Sequence, residues 1–386
     1  MFFIIFLSSF IFIRTMPPIR YEYQSSVEIS SMYLMNTYLL THTPQYINQH
    51  LPYTWFIQNN ELKPAKEKIV SYTKITIDNK EFNAIEYNDE VSFIPPFEDI
   101  KFNLTYYIVD INSTSITHDN KGIGLALNFI DEKFSLIHQM KKKGLIDYLS
   151  FTLSPLTSIN EDSGYIYFGG VPEETKSLSS ANCTVNKKLT GWNCKLKKIM
   201  LNYYKEQDIF EINRDAIFLN SEASIIFPLS VMKGIAEKTV MAKLIKKEIC
   251  EYVSNNVWSY FLCDKGILYD VTLVQSFQFL IGEYVFEFDY KDLFDCTSEY
   301  CLSGFMSQKS YGDQLVIGTL FLKKYWTHYD YEKETIFFYS EKPFQIMKEE
   351  EKISLSNKTV KVCYSVIMIQ GIIMIFYLII IKVNKT

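Results

Sequence analysis

Apolar and polar residues alternate with a period of two over many short stretches of the chain, starting near residue 68. Such alternation is typical of β-strands that bury one face. It predicts strands through residues 267–345 and in five earlier segments, of which the last two are predicted to pair as a hairpin. The five segments are 68–77, 81–87, 91–95, 148–155 and 163–171.

Two segments have the three-to-four-residue spacing of apolar positions that favours a helix. The first, residues 133–146, contains Gly144, and glycine is a common signal for the C-terminal end of a helix. The second spans residues 229–249. With a few helices among many strands, the chain is predicted to be mainly β.

Both ends of the chain carry an apolar run. Residues 2–13 stop at Arg14, a length that suits a signal peptide and is too short to cross a bilayer, whereas residues 362–381 are long enough to cross one. We therefore expect a single-pass type I membrane protein of the secretory pathway, at the cell surface or in an internal membrane, with a glycolipid anchor as the alternative. The predicted segments are a signal peptide (1–16), a charged stalk (346–361), a transmembrane helix (362–381) and a cytosolic tail (382–386).

Composition narrows the classes of function. The 386 residues are 48% apolar and carry a formal net charge of −5, which argues against nucleic acid as a partner. The five histidines are scattered, and no phosphate-binding or dinucleotide-binding glycine motif is complete. We therefore expect neither a metal site nor a cofactor.

Cysteines and glycosylation sequons agree with an oxidising compartment. Six of the seven cysteines precede the apolar C-terminal run, and an even number suits disulfides. Four Asn-x-Ser/Thr sequons that precede the apolar C-terminal run predict N-glycosylation. The cysteines are Cys183, Cys194, Cys250, Cys263, Cys296 and Cys301, and the sequons begin at Asn103, Asn112, Asn182 and Asn357.

A series of short motifs then points to one family. In chain order they are 122–126 (GIGLA), 134–146 (FSLIHQMKKKGLI), 151–154 (FTLS), 164–171 (GYIYFGGV), 191–196 (GWNCKL), FLCDKG and YCLSGF around Cys263 and Cys301, and 315–330 (LVIGTLFLKKYWTHYD). Together they resemble the pepsin-like (A1) aspartic proteases. The resemblance implies a bilobal pepsin-like (acid protease) fold, with a leader or propeptide-like segment (17–65), an N-terminal lobe (66–180) and a C-terminal lobe (181–345).

Each lobe of that family supplies one catalytic Asp from an Asp-Thr/Ser-Gly loop, and the two carboxylates share a proton to activate water. Residues 83–95 align with the first motif and residues 216–228 with the second. The triplets that replace the two motifs are Glu86-Tyr87-Asn88 and Asn220-Ser221-Glu222. Asn220 cannot ionise, and Glu86 is one methylene longer than Asp, so the alignment predicts the loss of catalysis.

The family also covers its substrate with a β-hairpin flap, which lies between the first Asp loop and the Gly-Ile-Leu-Gly segment. In this alignment only residues 96–121 separate Pro95 from Gly122, which predicts a shortened N-terminal lobe without a full flap. Without a flap the cleft is hard to close around a peptide. The sequence therefore favours a pseudoenzyme whose ectodomain binds a peptide or protein.

Two other functions stay open at this point. One is an active endopeptidase that uses Glu86 with Glu222, or a different register in which Asp89 is catalytic. The other is an unrelated β-rich adhesion ectodomain. The family resemblance also implies a Cys263–Cys301 disulfide, which would leave Cys183–Cys194 across a hairpin and Cys250–Cys296 as one of several connectivities.

Overall fold

The computed structural model describes most of the chain between residues 19 and 347. The described ranges are 19–26, 31–34, 37–38, 45–48, 54–57, 65–77, 80–93, 100–109, 122–127, 131–155, 163–189, 191–203, 206–219, 222, 224–265, 276–297 and 299–347. The predicted signal peptide, transmembrane helix and tail, the stalk beyond residue 347, and the sequons at Asn112 and Asn357 lie outside these ranges. Within them, no helix combines the length and apolar character needed to cross a membrane.

Strands dominate the described residues, as the alternating pattern predicts. The strands are β1 (Ile19–Ser26), β2 (Ser31–Leu34), β3 (Thr37–Tyr38), β4 (Gln45–Asn48), β5 (Trp55–Ile57), β6 (Ile69–Ile77), β7 (Lys80–Phe93), β8 (Ile100–Val109), β9 (Ile123–Gly124), β10 (Ser150–Leu153), β11 (Ser163–Phe168), β12 (Ser179–Thr184), β13 (Asn193–Tyr203), β14 (Glu206–Phe218), β15 (Ile225–Ile226), β16 (Cys250–Ser254), β17 (Trp258–Asp264), β18 (Ser276–Ile281), β19 (Tyr284–Asp289), β20 (Phe294–Cys296), β21 (Tyr300–Gln308), β22 (Leu315–Ile317), β23 (Trp326–Asp330), β24 (Thr335–Ser340) and β25 (Gln345–Ile346). The helices are α1 (Leu136–Lys142), α2 (Leu229–Lys238), α3 (Val240–Lys246), α4 (Tyr290–Leu293) and α5 (Thr319–Leu322).

A nine-stranded sheet joins distant parts of the chain, in the order β12-β24-β23-β10-β11-β1-β2-β4-β9. The predicted hairpin of β10 and β11 is present, with Phe151 opposite Phe168. Strand β23 pairs antiparallel with β10 on its other side, where Phe151 lies opposite Tyr329. The sheet is therefore built from both halves of the chain.

Residues 17–65, expected to be a leader, contain five described strands that pair within the folded sheets. Strand β1 pairs antiparallel with β11, from Ile19 opposite Phe168 to Gln24 opposite Ser163. Strands β2 and β4 extend the same sheet, and β5 joins the five-stranded sheet. The polar, Tyr-rich composition of this segment hides its strands, because they show little alternation.

Two further sheets complete the fold. An eleven-stranded sheet runs β16-β17-β21-β15-β22-β14-β13-β18-β19-β25, with β20 paired to β21. A five-stranded sheet runs β3-β7-β8-β5, with β6 paired to β7 as a long hairpin. The lobe boundary predicted between residues 180 and 181 falls inside β12.

The main core is rich in aromatic rings. Phe151 stacks on Tyr329 with 4.5 Å between ring centroids, and the buried Trp192 packs edge-on against Tyr329 at 5.1 Å. The indole N–H of Trp192 donates a hydrogen bond to the Leu125 carbonyl, so the ring also positions the GIGLA segment. Buried indole N–H groups usually find such a partner.

The long helix predicted over residues 229–249 is two helices that meet at Thr239. The Thr239 side chain accepts a hydrogen bond from the Met241 amide and donates one to the Ile235 carbonyl, so it caps α3 and closes α2. Threonine is a favoured N-cap residue, which explains the break. The first predicted helix is α1, capped by Ser135 and followed by Gly144 at φ +69°.

The disulfides differ in part from those predicted. Cys183–Cys194 is present, but it links β12 and β13, which belong to different sheets, rather than the two strands of a hairpin. The pairings Cys263–Cys301 and Cys250–Cys296 are wrong, because the bonds are Cys250–Cys263 and Cys296–Cys301. Each of these two bonds joins neighbouring strands in direct register, which sequence spacing alone could not reveal.

Candidate functional site

The second-lobe loop connects β14 to β15 around the end of β22. Strand β14 is parallel to β22, with Phe218 opposite Ile317, and β15 is antiparallel to it, with Ile226 opposite Val316. This three-stranded arrangement is the ψ-shaped loop of the pepsin-like fold. Asn220 and Ser221, expected to replace the catalytic Asp and Thr, lie outside the described residues.

The described part of this loop packs tightly against Gly318. A Cβ atom at Gly318 would lie 2.3 Å from the Glu222 carbonyl oxygen and 2.4 Å from that of Ser224. The Thr319 amide donates to the same Glu222 oxygen at 2.6 Å. Glycine at 318 therefore allows two backbone segments to approach closely.

The Glu222 side chain is also engaged. Its Oε1 atom accepts a hydrogen bond from the Tyr311 hydroxyl. Tyr311 itself borders a small apolar cluster of Leu219, Ile226 and Val316 beneath the loop. The Glu222 carboxylate, the one carboxylate in this loop, is thus held by Tyr311, which lies in the connection between β21 and β22.

The first lobe contains the same arrangement, in which β4 and β5 precede residue 58 and β9 follows much later in the chain. Strand β4 is parallel to β9, with Ile47 opposite Ile123, and Trp55 forms an antiparallel bridge with Gly122. The Gly122 amide donates to the Trp55 carbonyl at 2.8 Å, and the Trp55 amide donates to the Gly122 carbonyl at 3.1 Å. Strand β5 then runs parallel to β8, just as β15 runs parallel to β21.

The two lobes match in spacing as well. Eight positions separate Ile47 from Trp55, and eight separate Phe218 from Ile226. Residues 48–54 are therefore the strand-register counterpart of residues 219–225. Within the first connection, residues 49–53 lie outside the described residues. Thr54 at its end is fully buried, and its hydroxyl accepts a hydrogen bond from the Gly124 amide at 3.4 Å.

Glu86, expected to occupy the first catalytic loop, lies instead in the middle of β7. It pairs with Ser71 on β6 and Tyr107 on β8, so residues 83–93 form a continuous strand with no loop. Its carboxylate accepts hydrogen bonds from the Ser71 hydroxyl and the Lys133 ammonium group, both at 3.0 Å. The alignment failed because the segment NAIEYNDEVSFIP has the length and apolar pattern of the motif, whereas the segment at 45–57 lacks its Asp and Gly.

Tyr87, Asn88 and Asp89 also serve the strands of the first lobe. The Tyr87 hydroxyl accepts a hydrogen bond from the Ala65 amide at 3.0 Å, and the Asn88 amide group donates to the Thr105 hydroxyl at 2.8 Å. Asp89 forms an ion pair with Lys68. These contacts fix the hairpin to its neighbours rather than forming a cleft.

The β6–β7 hairpin takes the place in chain order that the flap occupies in the family. It follows β5 and precedes β8 and Gly122. The expectation of a shortened lobe without a flap depended on placing the first loop at residues 83–95. With the connection at 48–54, the residues up to Gly122 leave ample length for a hairpin.

The remaining site predictions concern metals and glycans. No group of three or more His, Cys, Asp or Glu within the described ranges is arranged to hold a metal ion. Asn103 on β8 and Asn182 on β12 both expose their side chains. An exposed sequon is accessible to a glycosyltransferase, so both remain predictions for modification.

Comparisons with known proteins agree with this architecture. The sequence model of the eukaryotic aspartyl protease family matches residues 73–340. No curated protein matches the sequence. The aspartic proteinase from Irpex lacteus is similar in structure, with a TM-score of 0.58 at 11% identity over 83% of this chain and 97% of that one.

Two plant globulins are also similar in structure. Basic 7S globulin from soybean has a TM-score of 0.62 at 11% identity, covering 84% of this chain and 96% of the globulin. Conglutin gamma, a basic 7S globulin from lupine seeds, has a TM-score of 0.63 at 10% identity, covering 84% and 95%. At these identities the likeness concerns the fold alone.

The extent of these matches bears on the N-terminal strands. A share of 84% of 386 residues is about 324 residues, whereas residues 73–340 number 268. The structural likeness therefore extends beyond the segment that the family's sequence model matches. With paired ψ-shaped loops, a sheet shared by both halves and a family match over more than half of its length, the chain belongs to the eukaryotic aspartyl proteases.

Proposed function

We propose that this chain is a membrane-anchored member of the aspartyl protease family that binds a peptide or protein and does not hydrolyse it. One observation carries the proposal. The two connections equivalent by strand register, residues 48–54 (NQHLPYT) and 219–225 (LNSEASI), contain no Asp. Shared-proton catalysis needs two close carboxylates, and these connections offer only Glu222.

The environment of Glu222 argues further against catalysis. Its carboxylate accepts a hydrogen bond from Tyr311, and its carbonyl accepts one from the Thr319 amide. A single carboxylate can act as a base or as an acid, but it cannot hold both roles at once. The amide side chains of Gln49 and Asn220, which are counterparts in register, cannot ionise in its place.

A rival function is hydrolysis by a rebuilt pair of Glu86 and Glu222. The contacts of Glu86 favour a structural role for it, since both of its hydrogen-bond partners, Ser71 and Lys133, belong to the first lobe. The adhesion alternative is set aside by the family assignment. Hydrolysis therefore remains the function against which the proposal is tested.

Binding is supported by the surface of the β6–β7 hairpin. Val70 and Tyr72 on β6 are 57% and 75% exposed, and as residues two apart on a strand they lie on the same face of it. The hairpin also follows the first connection in chain order, where the family carries its substrate-covering flap. Exposed aromatic side chains commonly anchor partners, because they bury a large area at little entropic cost.

The first experiment tests hydrolysis with the purified full chain. It is incubated with a mixed peptide library from pH 3 to 7, with and without a general aspartic-protease inhibitor, and cleavage is read by mass spectrometry. We expect no inhibitor-sensitive cleavage at any pH. Cleavage that is blocked by the inhibitor and lost in Glu86→Gln or Glu222→Gln would establish the rival function.

A second experiment tests binding with the same library on immobilised chain. We expect a subset of peptides to be retained, and retention to fall roughly tenfold in Tyr72→Ser, as for loss of one aromatic anchor. Tyr148→Ser is the matched control, since Tyr148 is also exposed (48%) but follows α1. A folded chain that retains no peptide, or equal losses in both variants, would contradict binding at the hairpin.

A further inference from the structure

Four cysteines form a row across neighbouring strands of the second lobe. Cys250 on β16 lies opposite Cys263 on β17, and Cys263 lies opposite Cys301 on β21. Cys301 in turn lies opposite Cys296 on β20. The two disulfides join the outer pairs of this row, Cys250–Cys263 and Cys296–Cys301.

The two middle cysteines belong to different bonds although they are direct neighbours. Directly opposite residues on antiparallel strands have Cβ atoms about 4.5–5.5 Å apart. A disulfide needs about 3.5–4.5 Å between Cβ atoms, so a small relaxation would allow Cys263 to bond to Cys301. The row thus supports a second pairing, in which the middle pair is bonded and Cys250 and Cys296 are released.

One end of the row borders an open cavity of about 400 Å³. Cys250 and Cys263 line it, together with the acidic residues Glu248, Glu251 and Asp264. Cys250 and Cys263 are only 4% and 2% exposed, so a small thiol reaches their bond through this cavity. Cys296, at the other end of the row, is half-buried and does not line the cavity, and Cys301 is fully buried. The carboxylates repel an anionic thiol and attract one that carries a positive charge.

We propose that this row captures a partner thiol that is flanked by positive charge, and that it does so by disulfide exchange in two steps. The incoming thiolate attacks Sγ of Cys250, forms a mixed disulfide with it and expels Cys263 as a thiolate. Cys263 then attacks Sγ of Cys301, forms the Cys263–Cys301 bond and expels Cys296, which takes up the proton that the partner lost. The number of disulfides is unchanged, so no oxidant or reductant is needed.

The second step is what makes the capture persist. Without it, the Cys263 thiolate would attack the adjacent mixed disulfide and release the partner, because both reactants are held in register. Bonding of Cys263 to Cys301 removes that nucleophile. The reaction is independent of hydrolysis and of binding at the β6–β7 hairpin.

The test uses cysteamine, a small cationic thiol, with the oxidised full chain. After a brief exposure the reaction is quenched with acid, free thiols are alkylated, and the disulfides are mapped by mass spectrometry. We expect cysteamine on Cys250, a Cys263–Cys301 bond and alkylated Cys296, with Cys183–Cys194 intact. Anionic glutathione should react more slowly, by roughly tenfold at low ionic strength.

The matched variant replaces both Cys296 and Cys301 by Ser, which removes the acceptor bond. Retention of cysteamine on Cys250 should then fall by at least roughly tenfold, because Cys263 reverses the first step. Equal retention in this variant, alkylation of Cys263 in the unmodified chain, or a Cys263–Cys301 bond before any thiol is added would overturn the proposal. If the variant does not fold, the map of the unmodified chain decides by itself.

Discussion

The indole N–H of Trp192 donates a hydrogen bond to the main-chain carbonyl of Leu125, with 2.9 Å between nitrogen and oxygen. The Tyr331 hydroxyl donates to the same oxygen, also at 2.9 Å. Leu125 belongs to the GIGLA segment of the first lobe, whereas both donors come from much later in the chain. One backbone oxygen therefore ties the first ψ-shaped loop to the second half of the molecule.

Replacing Tyr331 by Phe should lower the free energy of unfolding by about 1–2 kcal/mol, as expected for one buried hydrogen bond. The Leu125 carbonyl would keep Trp192 as a donor, so the loss should stay moderate. Denaturant unfolding measures it. Tyr252→Phe is the control, because the Tyr252 hydroxyl is buried without a hydrogen-bond partner among the described residues. Similar losses in both variants would contradict the role of the shared carbonyl.

Gly318→Ala should be strongly destabilising, by about 3 kcal/mol or more, because the added Cβ would meet the carbonyl oxygens of Glu222 and Ser224. Gly312→Ala provides the comparison. Gly312 has φ +56° but open space around its Cβ position, so only backbone strain of about 1 kcal/mol is expected. Thermal and denaturant unfolding distinguish the two. Equal costs would mean that the loop is looser than the close contacts at Gly318 indicate.

His328 should make the fold sensitive to acid. Burial lowers its pKa from the ordinary value of 6.5 to about 4, against an opposing effect of Asp330. As the pH falls, His328 therefore takes up a proton at a higher pH in the unfolded chain than in the folded one. Its protonation does not affect the free energy of unfolding above about pH 6.5, and lowers it progressively from there toward about pH 4. The loss approaches about 3 kcal/mol. Denaturant unfolding measured at several pH values between about 6.5 and 4 should show this loss of stability.

His328→Gln is the variant that isolates this effect. The Thr152 hydroxyl donates to the Gly170 carbonyl at 2.8 Å, so the Nδ1 atom of neutral His328 donates to Thr152, also 2.8 Å away. A Gln amide can donate in the same way without titrating. The variant should therefore lose less stability between pH 6.5 and 4 than the unmodified chain, and an unchanged slope would rule out His328 as its source.

The ion pair of Glu86 and Lys133 should contribute only modestly to stability. The Lys133 side chain is 47% exposed, and exposed pairs contribute less than about 1 kcal/mol. A double-mutant cycle with Glu86→Gln and Lys133→Met should give a coupling energy in that range, weakened by salt. A change in any proteolysis by Glu86→Gln would instead point to a chemical role.

Much of the fold follows from the sequence, because strands such as β6 and β10 carry a clear alternation of apolar and polar residues. Gly318, directly after β22, permits the close approach of the Glu222 and Ser224 carbonyls. The first ψ-shaped loop does not follow from the sequence. Its strand β4 is short and polar, and without Asp or Gly the connection at 48–54 gives no local signal. The segment at 83–95 has a clearer apolar pattern, so the sequence of the first motif aligns with it, although residues 83–93 lie in one strand of a hairpin.

The disulfides show a second limit. Cys183 and Cys194 are near in sequence, so a bond between them could be predicted, although β12 and β13 form no hairpin. The pairing among the other four depends on which strands are neighbours, and β16, β17, β21 and β20 are ordered by the sheet rather than by the chain. Family resemblance indicated the middle pair, which lies in register but belongs to two separate bonds.

The pairing of β1 with β11 and of β10 with β23 sets the order of events during synthesis. Strand β1 leaves the ribosome first and is soon followed by its partner β2, yet its other partner, β11, follows only around residues 163–168, and β23 at residues 326–330 is made near the end. At about 5–20 residues per second, the edge of β1 that faces β11 stays unpaired for many seconds. Assembly of this sheet is therefore a late step, and its unpaired edges are the point at which a slowly folding variant would aggregate.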